Sequence, residues 1–233
     1  FEKNIMQPNQ IPPIPFKNPY FSIDVECVAT GHDHNSRAVA QVSLVNQYEQ
    51  AILNLYVKPD KPVVSYLTPL TGITKELLEQ YGIPLEEAVK ALKANLPTNS
   101  ILVGQSIGQD VTWLGLKEGV DFAGLQDLAG LYRVWNPQFK SWSVFGQDQV
   151  AKVLLQWGSD PAGHNALMDA IKSIRLFNHY HLLRSQGEGP WQQAQQALLT
   201  AEPSPSFAKR NPVFEGVCMG NRRQCSCGAP FFS

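Results

Sequence analysis

Three strand-like segments precede the first helical period, and that order limits the fold more than any other feature. The segment "YFSIDVECVATG", residues 20–31, alternates: Phe21, Ile23, Val25 and Cys27 mark one face, and Ser22, Asp24, Glu26 and Val28 the other. Two further strand patterns follow, "AVAQVSLVN" and "AILNLYVKP", with only the polar "QYEQ" between them. Three such segments in a row predict an antiparallel meander. The period then becomes helical. "TPLTGITKELLEQYG" carries a helix start at Thr74 and a stop at Gly82, and "IPLEEAVKALKANLP" a second amphipathic helix broken at Pro97. "SILVGQ" reads as a buried parallel strand, "IGQDVTWLGLKEG" as a helix and "VDFAGLQD" as a fifth strand. "SVFGQDQVAKVLLQWG" and "HNALMDAIKSIRLFNHYHLL" are the last two strong helices. Three β elements followed by alternating α and β predict an α/β fold with a sheet of mixed direction.

The flanks differ in composition. Pro8, Pro12, Pro13, Pro15 and Pro19 make residues 1–19 an extended, proline-rich arm. Residues 20–185 form the expected domain. Residues 186–202, with "WQQAQQALLTAE", form a helical connector, and residues 203–233 a basic, cysteine-containing tail that begins with the flexible "PSPSFAKRNP". The opening residues lack the apolar core of a signal peptide, and no run approaches the roughly 18 apolar residues of a membrane span. The four cysteines, Cys27, Cys218, Cys225 and Cys227, make no disulfide framework. A reducing intracellular compartment, nucleus or cytoplasm, is expected. Net charge is −1, unlike that of many nucleic-acid binders. Residues 203–233 carry +3, which leaves about −4 for the remainder, so an anionic substrate would be held locally, through metal ions.

Three groups of residues carry chemistry. Asp24 and Glu26 share a strand face about 7 Å apart, where they repel unless the face is solvated or a cation lies between them. Asp110 lies one helical turn beyond "ILVG", and ligands of open α/β sheets gather at strand C-termini. His164 stands at a helix entrance with Asp169 five residues on, a rotation of about 500°, so the two do not share one helix face. At the entrance, however, His164 can swing toward a site that Asp169 faces. Taken singly, a surface acid, a backbone-bonded helix-start residue and a charge near a helix N-terminus account for these positions equally well.

In combination, their order resembles the DEDDh 3′→5′ exonucleases: Asp-x-Glu on the first strand, Asp after the fourth, then His-x-x-x-x-Asp on the last helix. The resemblance covers residues 20 to about 183. "YVKPDKPVVSYLTPLTGIT" is further similar to a segment marking the RNA exonuclease branch that includes the interferon-stimulated exonuclease and its ribosome-biogenesis relatives. Three positions depart from that branch. Cys27 follows Glu26 where Met or another large residue is usual, Gln105 replaces the His of Val-Gly-His, and Asn165 follows His164 where small hydroxyl residues are commoner. None removes a metal ligand.

The resemblance implies an RNase H-like, five-stranded mixed sheet flanked by helices and a two-metal mechanism with Mg²⁺ or Mn²⁺, hard ions suited to carboxylate oxygen. It makes Asp24 the ligand shared by both ions, places Glu26 and Asp169 with the attacking water, and has Asp110 support the second ion. His164 is the expected general base, since an imidazole titrates near neutrality. His32 and His34 in the following loop, and His179 and His181 on the last helix, are rivals better read as loop and packing residues. Thr30 and Gly31 are expected at the terminal nucleotide, and Leu67 and Trp113 against its bases, although Trp113 also suits the core. Asp127 is expected to cap a helix.

Cys218, Cys225 and Cys227 would suit a structural Zn²⁺. The tail has no fourth ligand, so that reading needs His179, His181 or another chain; otherwise the thiols belong to a basic recognition tail in which Arg222 and Arg223 hold RNA backbone. The tail is thus expected to bind RNA or a protein partner and to leave cleavage to the domain. The expected function is hydrolysis of single-stranded RNA from its 3′ end to nucleoside 5′-monophosphates. The alternatives are a DNA exonuclease and a non-catalytic adaptor on the same fold.

Overall fold

The computed structural model describes residues 17–158 and 163–231, so all but the last three residues of the proline-rich arm lie outside the described residues. Strands β1 (Tyr20–Ala29), β2 (Arg37–Asn46) and β3 (Ala51–Tyr56) form the antiparallel meander. The short helix α1 (Thr68–Thr71) precedes α2 (Lys75–Tyr81) and α3 (Leu85–Asn95). The chain then enters β4 (Ile101–Gly104), α4 (Gly108–Trp113) and β5 (Gly124–Asp127). β4 pairs parallel with β1, and β5 with β4, which gives one five-stranded sheet of order β3-β2-β1-β4-β5. This is the RNase H-like arrangement. Thr74 accepts a hydrogen bond from the Leu77 N–H and Gly82 closes α2, so both ends of that helix follow the local chemistry read from the sequence.

After β5, α5 (Leu128–Leu131) leads into a hairpin of β6 (Val134–Asn136) and β7 (Ser141–Ser143). Three helices complete the domain: α6 (Gln147–Leu155), α7 (Ala166–Ser185) and α8 (Glu188–Thr200). The sheet is covered on both faces. Ile23, Val25, Val42 and Leu102 pack with Ala88 and Leu92 of α3. Opposite, Val45 and Val103 pack with Val150 of α6, Ile174 and Phe177 of α7, and Trp191 and Leu198 of α8. Helix α8 therefore contributes to the core of the domain and is more than a connector.

The C-terminal segment packs on the domain. After α9 (Phe207–Arg210), capped by Ser206, the strands β8 (Val213–Phe214) and β9 (Val217–Cys218) form a small hairpin that docks on the domain. Val217 is wholly buried with Ala29 and Leu67. The Cys218 N–H donates to the His32 carbonyl at 2.8 Å, the Arg37 guanidinium donates to the Cys218 carbonyl at 2.9 Å, and the Ser65 hydroxyl donates to Glu215. Burying an apolar side chain removes area from water at about 25 cal/mol per Å². A hairpin carrying Val217 to such a contact stays on the domain and does not extend from it.

Candidate active site

The site begins at a fault in the sheet. Glu26 lies opposite Gln41 and Cys27 opposite Val39, so Ala40 is an extra residue in β2. Such bulges bend a strand and re-aim its side chains; this one falls directly after Glu26. Asp24 and Glu26 stay on the face covered by α7, and Gln41 beside them is wholly buried. The Gln41 side-chain carbonyl accepts from the Ala166 N–H at 3.3 Å, which ties the start of α7 to the acidic strand. Asn165 caps the helix through Leu167 and Met168 N–H groups. Asp110, in the first turn of α4, and Asp169, in the first turn of α7, are both buried.

His164 is placed from the other side. Its N–H donates to the Leu70 carbonyl at 2.6 Å. Gly163 before it has φ +99°, and a Cβ there would lie 2.9 Å from that carbonyl oxygen and 3.0 Å from that of Pro69. Only glycine lets the chain pass α1 this closely. The segment "YLTPLTGIT" is in turn stapled by its threonines: Thr68 Oγ1 donates to the Ile73 carbonyl at 2.6 Å, and Thr71 Oγ1 to that of Tyr66 at 3.1 Å. The motif thus serves as the shelf on which His164 rests.

The imidazole swings inward. His164 Nδ1 is 2.7 Å from Asp169 Oδ2, and Nε2 is 3.6 Å from Asp148 Oδ2. Ligand atoms of Glu26, His164 and Asp169 all lie within 4.8 Å of one another. Lys172, a turn beyond Asp169 and 5% exposed, donates from Nζ to Asp169 Oδ1 and Asp148 Oδ1, both at 2.8 Å. Sequence reasoning missed Lys172 and Asp148. The i,i+3 spacing of Asp169 and Lys172 was a usable signal. Asp148 gave none, since acids are common in first helical turns.

Burial and mutual repulsion dominate the electrostatics. Asp24 is pushed well above the carboxylate range, first by burial and then by Asp110, Glu26 and Asp169. Burial, reinforced by Asp169, raises Glu26 to about 8, and burial raises Asp110 to about 7. Asp169 is the exception: burial pushes it up, but His164 and Lys172 together hold it below its ordinary value. The hydrogen bond to Asp169 raises His164 to about 9 against the effect of burial. A bound cation would relieve the crowding of Asp24, Glu26 and Asp110, and carboxylate oxygens fit hard divalent cations such as Mg²⁺ or Mn²⁺.

A pH dependence follows. Groups whose pKa is raised on folding bind protons more tightly in the folded state, so their stabilisation is full below about pH 4 and is lost as pH rises through about 7 to 8. Without metal, the melting temperature should fall from about pH 6 to about pH 8, and Mn²⁺ should raise it more at the higher pH because protons no longer compete. Differential scanning fluorimetry with and without Mn²⁺ checks this; an equal Mn²⁺ shift at both pH values would contradict it.

Thr30 donates its N–H to the Ser36 carbonyl at 3.0 Å, and with Gly31 it opens the β1–β2 loop. Leu67, expected against substrate bases, is only 2% exposed and packs on Ala29 and Val217. Trp113 is half-buried against the α3 side of the core. Asp127 caps α5 through the Ala129 N–H, as expected. His181 packs edge-on to Phe177. His32 and His34 meet the tail: His32 Nδ1 is 3.0 Å from the Gly216 carbonyl oxygen, and His34 stands among Cys218, Cys225 and Cys227. The fourth partner of the three cysteines is therefore neither His179 nor His181.

Comparison with known proteins agrees with this geometry. The family model described as Exonuclease matches residues 21–177. Small RNA degrading nuclease 3 of Arabidopsis thaliana is 27% identical over 158 residues, 66% of this chain and 19% of that protein. Human RNA exonuclease 5 is 33% identical over 168 residues, 70% of this chain and 20% of that protein. The chain thus spans about a fifth of the length of these relatives. The Neurospora crassa Pan2 catalytic unit shares the fold, with a TM-score of 0.66 at 20% identity over 81% of this chain and 31% of the other. With the acidic pair on the first strand, the acid of α4 and the His-Asp couple of α7 converging as they do, the chain belongs to the exonuclease family, in its DEDDh type.

Proposed function

We propose that the protein is a metal-dependent 3′→5′ exoribonuclease that releases nucleoside 5′-monophosphates from single-stranded ends. The observation that carries this reading is the convergence of Asp24, Glu26, Asp110 and Asp169 with His164, three of the four carboxylates being raised by burial and by neighbouring acids. Four carboxylates would hold two divalent ions, with Asp24 shared between them, Glu26 and Asp169 on the first and Asp110 supporting the second. Bound there, such ions activate the nucleophile and stabilise charge on the entering and leaving oxygens of a phosphodiester.

The protein's own groups supply the rest. His164 lies beside Glu26 and Asp169, which supports its role as the base that takes the proton of the attacking water. In the metal-free arrangement Asp169 keeps this imidazole protonated, and sharing the Asp169 charge with a cation returns it toward its ordinary range. Lys172 fixes Asp169 and Asp148 at the rim and balances part of their charge. RNA as the substrate rests on the names of the relatives and on the "YVKPDKPVVSYLTPLTGIT" segment.

A 5′-labelled single-stranded oligoribonucleotide incubated with Mg²⁺ or Mn²⁺ should shorten stepwise from its 3′ end and release 5′-monophosphates, faster than its deoxy counterpart. Faster cleavage of DNA would reassign the substrate. No product with either ion, from protein that binds the RNA, would favour the adaptor.

A further inference from the structure

We propose that His34, Cys218, Cys225 and Cys227 form a structural Zn²⁺ site that fastens the C-terminal segment to the β1–β2 loop. It is independent of the nuclease reading, and three of its four ligands lie beyond the exonuclease match, which ends at residue 177.

Four donor atoms from distant parts of the chain meet here. His34 Nδ1 is 3.2 Å from Cys227 Sγ, 3.6 Å from Cys225 Sγ and 3.9 Å from Cys218 Sγ. Cys225 Sγ is 3.6 Å from Cys218 Sγ and 3.5 Å from Cys227 Sγ, and all four atoms lie within 4.8 Å of one another. Tetrahedral zinc binds sulfur at about 2.3 Å and nitrogen at about 2.0–2.1 Å. Those bond lengths give a tetrahedron with edges of about 3.8 Å between sulfurs and about 3.6 Å between nitrogen and sulfur. The observed separations cluster around these edges. They are far from the roughly 2.0 Å of a disulfide, and all three thiols are free.

The surroundings orient the donors as a metal site needs. His34 Nε2 is 3.2 Å from the Pro230 carbonyl oxygen. That carbonyl can only accept, so Nε2 carries the proton and Nδ1 turns its lone pair toward the sulfurs. The Asn35 amide donates to the same carbonyl at 2.9 Å, and the Phe231 ring stacks on the imidazole with centroids 4.3 Å apart. Backbone N–H groups of Gly220 and Ala229 donate to the sulfurs of Cys218 and Cys227. Three thiolates and one imidazole leave no open position, which marks a structural site and not a catalytic one. A soft S₃N set also separates it from the all-oxygen acidic cluster, which selects harder ions.

The consequence is mechanical. The loop that opens with Thr30 and Gly31, at the end of the acidic strand, is held at His34 by a segment about 190 residues away in sequence, beside the buried Val217 contact. The ion would set the position of that loop as well as that of the tail.

Elemental analysis of the 233-residue protein, purified without chelator, should find zinc equimolar with protein. Cys225→Ser should lose it, and Asp24→Asn should keep it, which separates this site from the acidic one. Cobalt exchanged into the site should show intense visible bands of tetrahedral Co²⁺ with thiolate-to-cobalt charge transfer. Should Cys225→Ser fail to fold, titration of wild-type protein with a mercurial thiol reagent in the presence of a zinc indicator replaces it: zinc release must track modification of the three thiols. Zinc removal should also expose the segment after Met219 to protease. Zinc-free native protein, iron in place of zinc, zinc content unchanged in Cys225→Ser, or release unrelated to thiol modification would each overturn the assignment.

Discussion

Asp24→Asn should lower turnover by about 10³-fold or more while making the metal-free protein harder to melt. The first effect follows from the proposed role of Asp24 as the ligand shared by both ions: metal stabilisation of transition-state charge amounts to several kcal/mol, and each 1.36 kcal/mol is tenfold in rate. The second follows from the structure without metal. Asp24 stands in the field of Asp110, Glu26 and Asp169, and a neutral amide of the same shape removes that repulsion. Near pH 8, where Asp110 is charged and Glu26 is about half charged, the variant should therefore show a raised melting temperature and a smaller Mn²⁺-induced shift. The opposed signs distinguish loss of a ligand from general damage to the fold. A variant that degrades RNA at near wild-type rate would remove Asp24 from the metal site.

His164→Ala should lower kcat by about 10²–10⁴-fold, the range for a positioned base, with KM for a short oligoribonucleotide little changed. Mn²⁺ affinity, measured by calorimetry, should equal or exceed that of the wild type, because Asp169 Oδ2 loses the imidazole 2.7 Å away and its charge becomes available to the ion. The acidic limb of the kcat–pH profile, which reports deprotonation of the base, should disappear. A defect confined to KM, with normal turnover at saturation and the acidic limb intact, would reduce His164 to a positioning residue.

Local chemistry explains why so much of the site was legible in the chain. The alternation in β1 puts Asp24 and Glu26 on one face, the Thr74 and Gly82 signals end α2 where expected, and Asn165 at the entrance of α7 leaves His164 outside the helix and free of its 100° rotation. Gly163 could be quoted but not interpreted from sequence: its φ of +99° acquires meaning only beside the carbonyls of Pro69 and Leu70. The bulge at Ala40 was equally silent, because an extra residue in one strand exists only relative to its partner.

The tail shows the same limit more sharply. Its composition, +3 in charge with three cysteines, suggested an appended RNA-binding segment, and its cysteine spacings offered no fourth ligand. The structure buries Val217 on Ala29 and Leu67 and brings His34 to the sulfurs, so removal of residues 203–233 would strip a packed contact from the loop next to the acidic strand. Sequence alone determined the order of the five sheet strands and of the longer helices α2, α3, α6 and α7 around them, because periodicity, caps and strand faces depend on residues within a few positions of one another; the four acids and His164 were picked out by their shared order with the exonuclease family. Tertiary structure alone decided that Lys172 and Asp148 join Asp169, that Leu67 is covered, and that His34 meets three cysteines about 190 residues away. Those meetings depend on which surfaces the chain buries when it returns to the sheet, and no local pattern records that.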